Sequence, residues 1–341
     1  MARLPPSKSH PSGIAAILAA VIAIFAILNL KVPYFSLTAG PAEDVFRLIE
    51  IEGAPTTTVS GRLLLTTVSL RETTAAEMIR SWFDSDYEIV SRSAIVPPGE
   101  TDQEAQRRTV EQMDESQLLA SAAALKLLGY EVPVTRSGVR IRDLVPDAPA
   151  AALLKRGDVI VSADGRSVTR HEELTAEVGR HKVGDDVQLV VRRGDETVSV
   201  TTKTIGRPEN PSDPIIGVSI EDVSRPDLPL AIQIESLGIG GPSAGLTYAL
   251  GVVDILDPRD LAGGRIIAGT GEISIDGEVF PVGGIRQKID GARHAEADIF
   301  IVPASELRQA CSGAGDMTVV AVESLDQTVA KLAAPDLQSE C

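Results

Sequence analysis

Apolar residues fall along this chain in blocks of changing period, and each block predicts a different element. Gly13 to Leu30 carries no charge at all. As a helix that run would almost reach across a ~30 Å hydrocarbon core, so the pattern predicts a transmembrane anchor over residues 13–30 with 1–12 as its tail. Arg3 and Lys8 precede it without an acidic residue. That bias predicts a cytoplasmic N-terminus, a lipid bilayer around 13–30, and a single-pass protein of the cell membrane with the rest extracytoplasmic. The run exceeds the ~7 to 15 apolar residues of a cleaved signal, and the nearest small residues after it, Ala39 and Gly40, make a poor cleavage site, so the anchor is read as retained.

Residues 36–133 read as a mixed α/β region. Val45 to Ile51 and Arg62 to Val68 have the composition of strands, separated by Gly53, Pro55 and Gly61. Thr74-Ala75-Ala76-Glu77 is a capping box that predicts a helix through Trp82. A longer helix is predicted from Asp102 to Leu128, where Gly129 ends it. These residues are read as packing, with no chemistry assigned.

From 134 to 204 the rhythm changes to strand, short helix, Gly-Asp, strand, helix and two strands. The run Gly138-Val139-Arg140-Ile141, then Asp147-Ala148-Pro149-Ala150-Ala151, then Gly157-Asp158-Val159-Ile160 and Asp164-Gly165 resembles a PDZ domain. Such a domain takes an extended peptide as an added strand. The resemblance places the peptide groove at Gly138, Val139 and Ile141 beside a helix from about Arg170 to Val178. The glycine-rich carboxylate loop is reduced here to Ser137-Gly138, and peptide recognition and a structural role both stay open for this segment.

The Pro-rich stretch Arg207 to Asp213 marks a boundary. After it, apolar runs at Ile215 to Ile220 and Leu230 to Glu235 lead to Gly240-Gly241-Pro242-Ser243-Ala244-Gly245. Proline suits a first helical turn, so a helix is predicted from there through Leu246, Leu250 and Val253, with Ser243 at its positive end. The N–H groups around Ser243, those of Gly241 and Ala244 among them, are candidates to receive an oxyanion. Further on, Asp276-Gly277 between alternating residues predicts a hairpin. It brings Thr270 toward Gly283-Gly284, where a last helix begins. On that helix Ile285, Lys288, Ile289 and Ala292 share one face, while Arg286, Gln287, Asp290 and Arg293 fall mostly on others. A lysine within an apolar stripe is either a buried amine of lowered pKa, able to take a serine proton, or one that snorkels to water.

Composition narrows the picture. The net charge is −16 and aromatics make up 3% of residues, which disfavours nucleic acid as a partner. Four scattered histidines and two cysteines form no metal pattern, so no metal or cofactor is expected. His294 is the one histidine near the lysine in sequence and is a weaker candidate base. Cys311 and Cys341 allow either a bridge or two thiols.

The succession GPSAG, TGEIS, GEVFPVGGIRQK and Ile299-Phe300-Ile301-Val302-Pro303 resembles the proteolytic domain of Lon proteases, over roughly 214–334. The resemblance implies a Ser/Lys dyad of Ser243 and Lys288, with Thr270 beside the lysine, and a possible hexamer. No G-x-x-x-x-G-K-[ST] loop occurs in the chain, so no nucleotide partner is expected. The expected fold class is therefore α+β and multi-domain: a transmembrane helix, a PDZ-like domain over 134–204 and a Lon-type α/β proteolytic domain. The expected function is an ATP-independent, membrane-anchored serine endopeptidase acting on unfolded or extracytoplasmic polypeptides. The alternative is a non-catalytic adaptor that uses the Lon-type fold as scaffold.

Overall fold

The computed structural model describes residues 11–83, 88–96, 100–194 and 196–341, so the expected tail lies outside them but for its last two residues. Helix α1 (Pro11–Leu28) corrects the first expectation. Among the described residues no helix is long and apolar enough to cross a membrane. At 1.5 Å per residue the 18 residues of α1 reach ~27 Å, short of the ~30 Å core. At its C-terminal end the helix goes no further, because by Lys31 the chain has entered strand β1 (Lys31–Asp44), paired from Lys31 with Thr74. The transmembrane anchor over 13–30, its bilayer contact and the single-pass membrane location do not stand.

Two compact units emerge, one of Met1–Glu131 with Leu230–Cys341 and one of Val132–Pro229. In the first, β1 is followed by β2 (Ile49–Glu52), β3 (Arg62–Thr74), α2 (Ala75–Arg80), β4 (Glu88–Ser91), α3 (Arg92–Ile95) and α4 (Asp102–Leu127). Both longer starts are capping boxes. Thr74 accepts the Glu77 N–H and Glu77 accepts the Thr74 N–H, and Thr101 and Glu104 repeat the exchange at the head of α4. The strand expected over Val45 to Ile51 is broken, since Asp44 accepts the Phe46 N–H and turns Val45–Arg47 into a single 3-10 turn before β2. Helix α2 stops at Arg80, short of Trp82.

The second unit holds β5 (Val134–Leu144), β6 (Val159–Ala163), β7 (Arg166–Ser167), α5 (His171–Val178), β8 (Asp186–Arg193), β9 (Glu196–Lys203), the ribbon β10 (Ile205–Arg207) and β11 (Asn210–Ile215), and β12 (Val218–Pro226). Its sheet runs β12-β5-β6-β8-β9 over a core that includes Val139, Ile141, Ile160, Leu174 and Leu189. The Gly157-Asp158 turn is structural. The Asp158 carboxylate is buried, accepts the Lys155 N–H at 2.9 Å and takes Arg193 through both oxygens at 2.8 and 2.6 Å, a paired arrangement that removes the penalty of a lone buried charge.

The expected groove at Gly138, Val139 and Ile141 is closed. Val139 pairs with Asp222 of β12 on one side and Ile160 of β6 on the other, and Ile141 with Ile220. Gly138 lies so close to β6 that a Cβ would stand 2.8 Å from the Ile160 carbonyl oxygen. The strand that fills the edge comes some 80 residues later in the sequence, too far for local pattern to reveal.

Returning to the first unit, the chain adds β13 (Ala231–Ile234), α6 (Gly245–Leu256), β14 (Ile266–Gly269), the hairpin β15 (Glu272–Ile273) and β16 (Val279–Phe280), α7 (Ile285–His294), β17 (Ile299–Pro303), α8 (Leu307–Cys311), β18 (Thr318–Val322) and α9 (Leu325–Leu332). Residues 214–229 thus lie in the other unit, while strands from 36–131 complete this one. The main sheet runs β18-β17-β14-β3-β1-β4, parallel from β18 through β3 and antiparallel at β1 and β4. Alternate residues feed two cores. Leu63, Leu65, Ile267, Ile299 and Ile301 join α4 and α6 on one face, while Leu64, Ala268, Phe300 and Val302 meet Ile285, Ile289 and Ala292 of α7 on the other. A strand covered on both faces has no polar side, which explains the unbroken Leu63-Leu64-Leu65 run.

The C-terminus straps the outer edge of this sheet. Val319 donates to Ser339 Oγ and accepts the Glu340 N–H, and a disulfide joins Cys341 to Cys311 across 30 residues. Closing a loop of that length is worth about 3 to 4 kcal/mol in the chain-entropy account. Cys341→Ser should therefore lower unfolding stability by about that amount in denaturant titration, and added reductant should destabilise the natural chain but not the variant.

Candidate active site

Ser243 is delivered by a turn rather than a helix. The Gly245 N–H donates to the Pro242 carbonyl at 3.2 Å, and α6 begins only at Gly245 with Ala244 as its N-cap. Helix α4 fixes this turn from outside: the Gly241 N–H donates to the Thr109 carbonyl at 2.8 Å, and Ser116 Oγ donates to the Pro242 carbonyl at 3.0 Å. The Gly241 N–H is thus engaged and is not an oxyanion donor. Its φ of +90° explains the glycine. Leu246 donates to the Gly271 carbonyl. Among the described residues the N–H groups of Ser243 and Ala244 donate to no backbone carbonyl, and these two are the amides left for an oxyanion.

Thr270 joins the serine to the lysine. It is fully buried at the end of β14, with its N–H on the Ile301 carbonyl at 3.1 Å. Its hydroxyl donates to the Ser243 carbonyl at 3.1 Å and accepts from Lys288 Nζ at 2.9 Å, while Gly271 N–H gives Ser243 O a second bond at 2.9 Å. One hydroxyl serves both bonds because it donates once and accepts once. The lysine amine is hydrogen-bonded to Thr270, and among the described residues no hydrogen bond joins it to Ser243 Oγ.

Lys288 is 3% exposed. Burial lowers its pKa to about 8, because the ammonium loses water, and the Glu306 carboxylate opposes the shift. The helix that carries it starts at Gly284, whose φ of +74° turns the chain into α7. Gly291 then lets α7 lie on β1, where a Cβ would stand 3.1 Å from the Gly40 carbonyl oxygen. Gln287 is buried as well, against the expectation of a solvated face: its Nε2 donates to Glu88 of β4 at 3.1 Å. The edge strand β4 covers a helix face that periodicity alone assigns to water. His294 ends α7 exposed to solvent.

Glu306, Ser116 and Thr109 have no sequence signal that marks them. The closest is the position of Glu306, three residues after the Ile299-to-Pro303 run. Away from this site, His171, Glu172 and Asp222 bring possible metal ligands within 4.8 Å of one another. Asp222 already accepts the His171 N–H at 2.6 Å and faces Arg136 at 3.8 Å, so the cluster is an anchored helix start.

A serine in a helix-entry turn, tied through a threonine to a dry lysine, is the set of groups that a hydrolase of the Ser/Lys kind would need. Comparison with known proteins names the domain. Residues 232–334 match the Lon protease C-terminal proteolytic domain, and residues 127–204 match the PDZ domain. Lon protease 2 of Herpetosiphon aurantiacus is 34% identical over 118 residues, which take in 33% of this chain and 14% of that protein. Serine protease HTRA1 of Xenopus tropicalis is 41% identical over 91 residues, 25% of this chain and 19% of that one. A solved PDZ domain of an SdrC-like protein from Listeria monocytogenes is 29% identical, covering 26% of this chain and 92% of its own at a TM-score of 0.24. The chain carries a serine peptidase domain of the Lon type and a PDZ domain, and spans about a seventh of the length of the Herpetosiphon relative.

Thr270→Val removes the acceptor of the lysine amine at nearly constant volume. Loss of a hydrogen bond to a group that becomes charged is worth about 1.5 to 3 kcal/mol, so kcat should fall about ten- to a hundredfold in a peptide-cleavage assay. Thr270→Ser, which keeps the hydroxyl, should retain most of the activity.

Proposed function

We propose that this protein is an ATP-independent serine endopeptidase that cleaves flexible or unfolded polypeptides, with Ser243 as nucleophile and Lys288 as general base. The observation that carries the reading is the buried Lys288 amine, held by the same Thr270 hydroxyl that holds the Ser243 carbonyl. Ser243 Oγ attacks the peptide carbonyl carbon and Lys288 Nζ takes its proton. The oxyanion is received by the Ser243 and Ala244 N–H groups, each such donor worth ~2.7 to 4 kcal/mol. The C–N bond then breaks, Lys288 returns the proton to the leaving amine, and Ser243 is left as an ester. Water attacks the ester carbon and Lys288 takes a proton from it; the bond from that carbon to Ser243 Oγ then breaks as Lys288 gives the proton to Oγ, releasing the acid product and free Ser243.

No step needs a nucleotide, which agrees with the absence of a Walker loop from the 341 residues. Without unfolding work at the site, segments already extended are the substrates that fit. In the PDZ-containing unit the outer edge of β12, at the end of its sheet, is the place for such a segment to add as a strand.

The test is cleavage of a disordered polypeptide, without nucleotide, by the full chain and its Ser243→Ala and Lys288→Ala variants. Both variants should lose at least about 10³-fold in kcat. Equal cleavage by all three, or none by the natural chain, would sink the proposal. For a base to act it must be neutral, so kcat/KM should rise with pH through about 8, the value to which burial lowers Lys288.

A further inference from the structure

The geometry points to Ser116 as a positioning residue for this site: its hydroxyl, acting through the Pro242 carbonyl, aims the Ser243 N–H at the oxyanion of the reaction. The inference rests on the Ser243 reading above and adds the group that orients one of its two amides. The Pro242 C=O and the Ser243 N–H belong to one peptide unit. Among the described residues no peptide bond is cis, so the two groups lie in one plane and point in opposite directions. Whatever holds the carbonyl therefore aims the amide. Ser116 Oγ donates to that carbonyl at 3.0 Å and the Gly245 N–H donates to it at 3.2 Å. The next peptide unit repeats the arrangement: the Ser243 carbonyl accepts from the Thr270 hydroxyl at 3.1 Å and from the Gly271 N–H at 2.9 Å, and so aims the Ala244 N–H. Each oxyanion amide is thus backed by two hydrogen bonds on the carbonyl across its own peptide plane.

The other hydroxyls of α4 show that this contact is not the default of a helical serine. In a helix interior Ser and Thr often return the hydroxyl to a carbonyl of the preceding turn. Ser121 does so with Gln117 at 2.8 Å, and Thr109 with Gln106 at 2.8 Å. Ser116 reaches instead to Pro242, 126 positions away in sequence. It is 4% exposed. Met113 and Ala120, one turn away on either side, both belong to the apolar core. An alanine would complete that stripe with no polar group to satisfy, so the partner of the hydroxyl is what sets the position apart. Helix α6 leaves room for it, since a Cβ at Gly245 would stand 2.8 Å from Ser116 Oγ. An amide whose aim is fixed before charge develops needs no reorganisation when the oxyanion forms, which is where such a donor gains its effect.

Ser116→Ala leaves the Gly245 N–H alone on the Pro242 carbonyl. In the full chain kcat/KM for peptide cleavage should fall about tenfold, less than the roughly 10²- to 10³-fold loss when a whole oxyanion donor is removed. Two inhibitors separate lost aim from general damage. One is a peptide aldehyde ending at the cleavage site of the disordered substrate. Ser243 Oγ bonds to its carbon, the π pair of the C=O moves to the oxygen, and the hydroxyl proton passes to Lys288. The other is the corresponding peptide alcohol, which has no carbonyl to attack. Ser116→Ala should bind the aldehyde about tenfold more weakly and the alcohol as the natural chain does. Ser116→Cys, a weak donor in nearly the same space, should weaken the aldehyde in the same sense, and it carries the test alone if the alanine variant does not fold. Ser121→Ala, which deletes a back-bonded hydroxyl of the same helix, should leave both affinities unchanged. Unchanged aldehyde affinity in the folded Ser116 variants overturns the inference. So does an alcohol affinity that falls alongside it, or an equal aldehyde loss in Ser121→Ala. Failure here is separable from failure of the nucleophile. An inactive Ser243→Ala protein beside unchanged aldehyde binding in Ser116→Ala would remove Ser116 alone, whereas an active Ser243→Ala protein would remove the serine reading itself.

Discussion

The burial of one amine sets the terms for the rest of the first unit. A lysine side chain removed from water favours its neutral form, and Lys288 is held in that condition by the Thr270 hydroxyl at 2.9 Å and by Ile285, Ile289 and Ala292 packed on the sheet around it. Keeping the amine dry requires α7 to lie flat on β1 and β3. At that contact Gly291 faces the Gly40 carbonyl oxygen, which would stand 3.1 Å from a Cβ at position 291. The same threonine accepts from Lys288 and donates to the carbonyl of Ser243, so the proposed nucleophile and the proposed base share one buried hydroxyl.

The serine turn depends on a part of the chain far from it in sequence. Helix α4 ends before the PDZ-containing unit begins, yet Thr109 and Ser116 on it hold Gly241 and Pro242. Strand β3, from the same early region, pairs in parallel with β14 and so places Thr270. The first unit is therefore one domain interrupted by another, and residues 232–334, which match the Lon proteolytic model, do not contain all the elements that shape the site.

In the second unit a late strand has a comparable effect. By pairing with β5, β12 makes Val139 and Ile141 interior positions and transfers the open edge of the sheet to itself. The Gly157-Asp158 turn, by contrast, keeps a purely structural task through its pairing with Arg193.

Local rules in the sequence determined much of this protein: the capping box at Thr74, the long helix from Asp102, the hairpin at Asp276-Gly277, and the apolar stripe that singles out Lys288. Each depends on residues within a few positions of one another, so the pattern along the chain is enough to read them. Ser243 and Thr270 were singled out through the GPSAG and TGEIS runs that resemble the Lon proteolytic domain. What only the tertiary structure decided are the relations between distant segments. They include the β12 strand closing the expected groove, Glu88 covering Gln287, α4 bracing the serine turn, and Glu306 reaching Val282. The apolar run at the N-terminus belongs with these, since its length as a helix was set by where the sheet captured Lys31. Such contacts are chosen by which surfaces close over which core, and no periodicity along the chain records that choice.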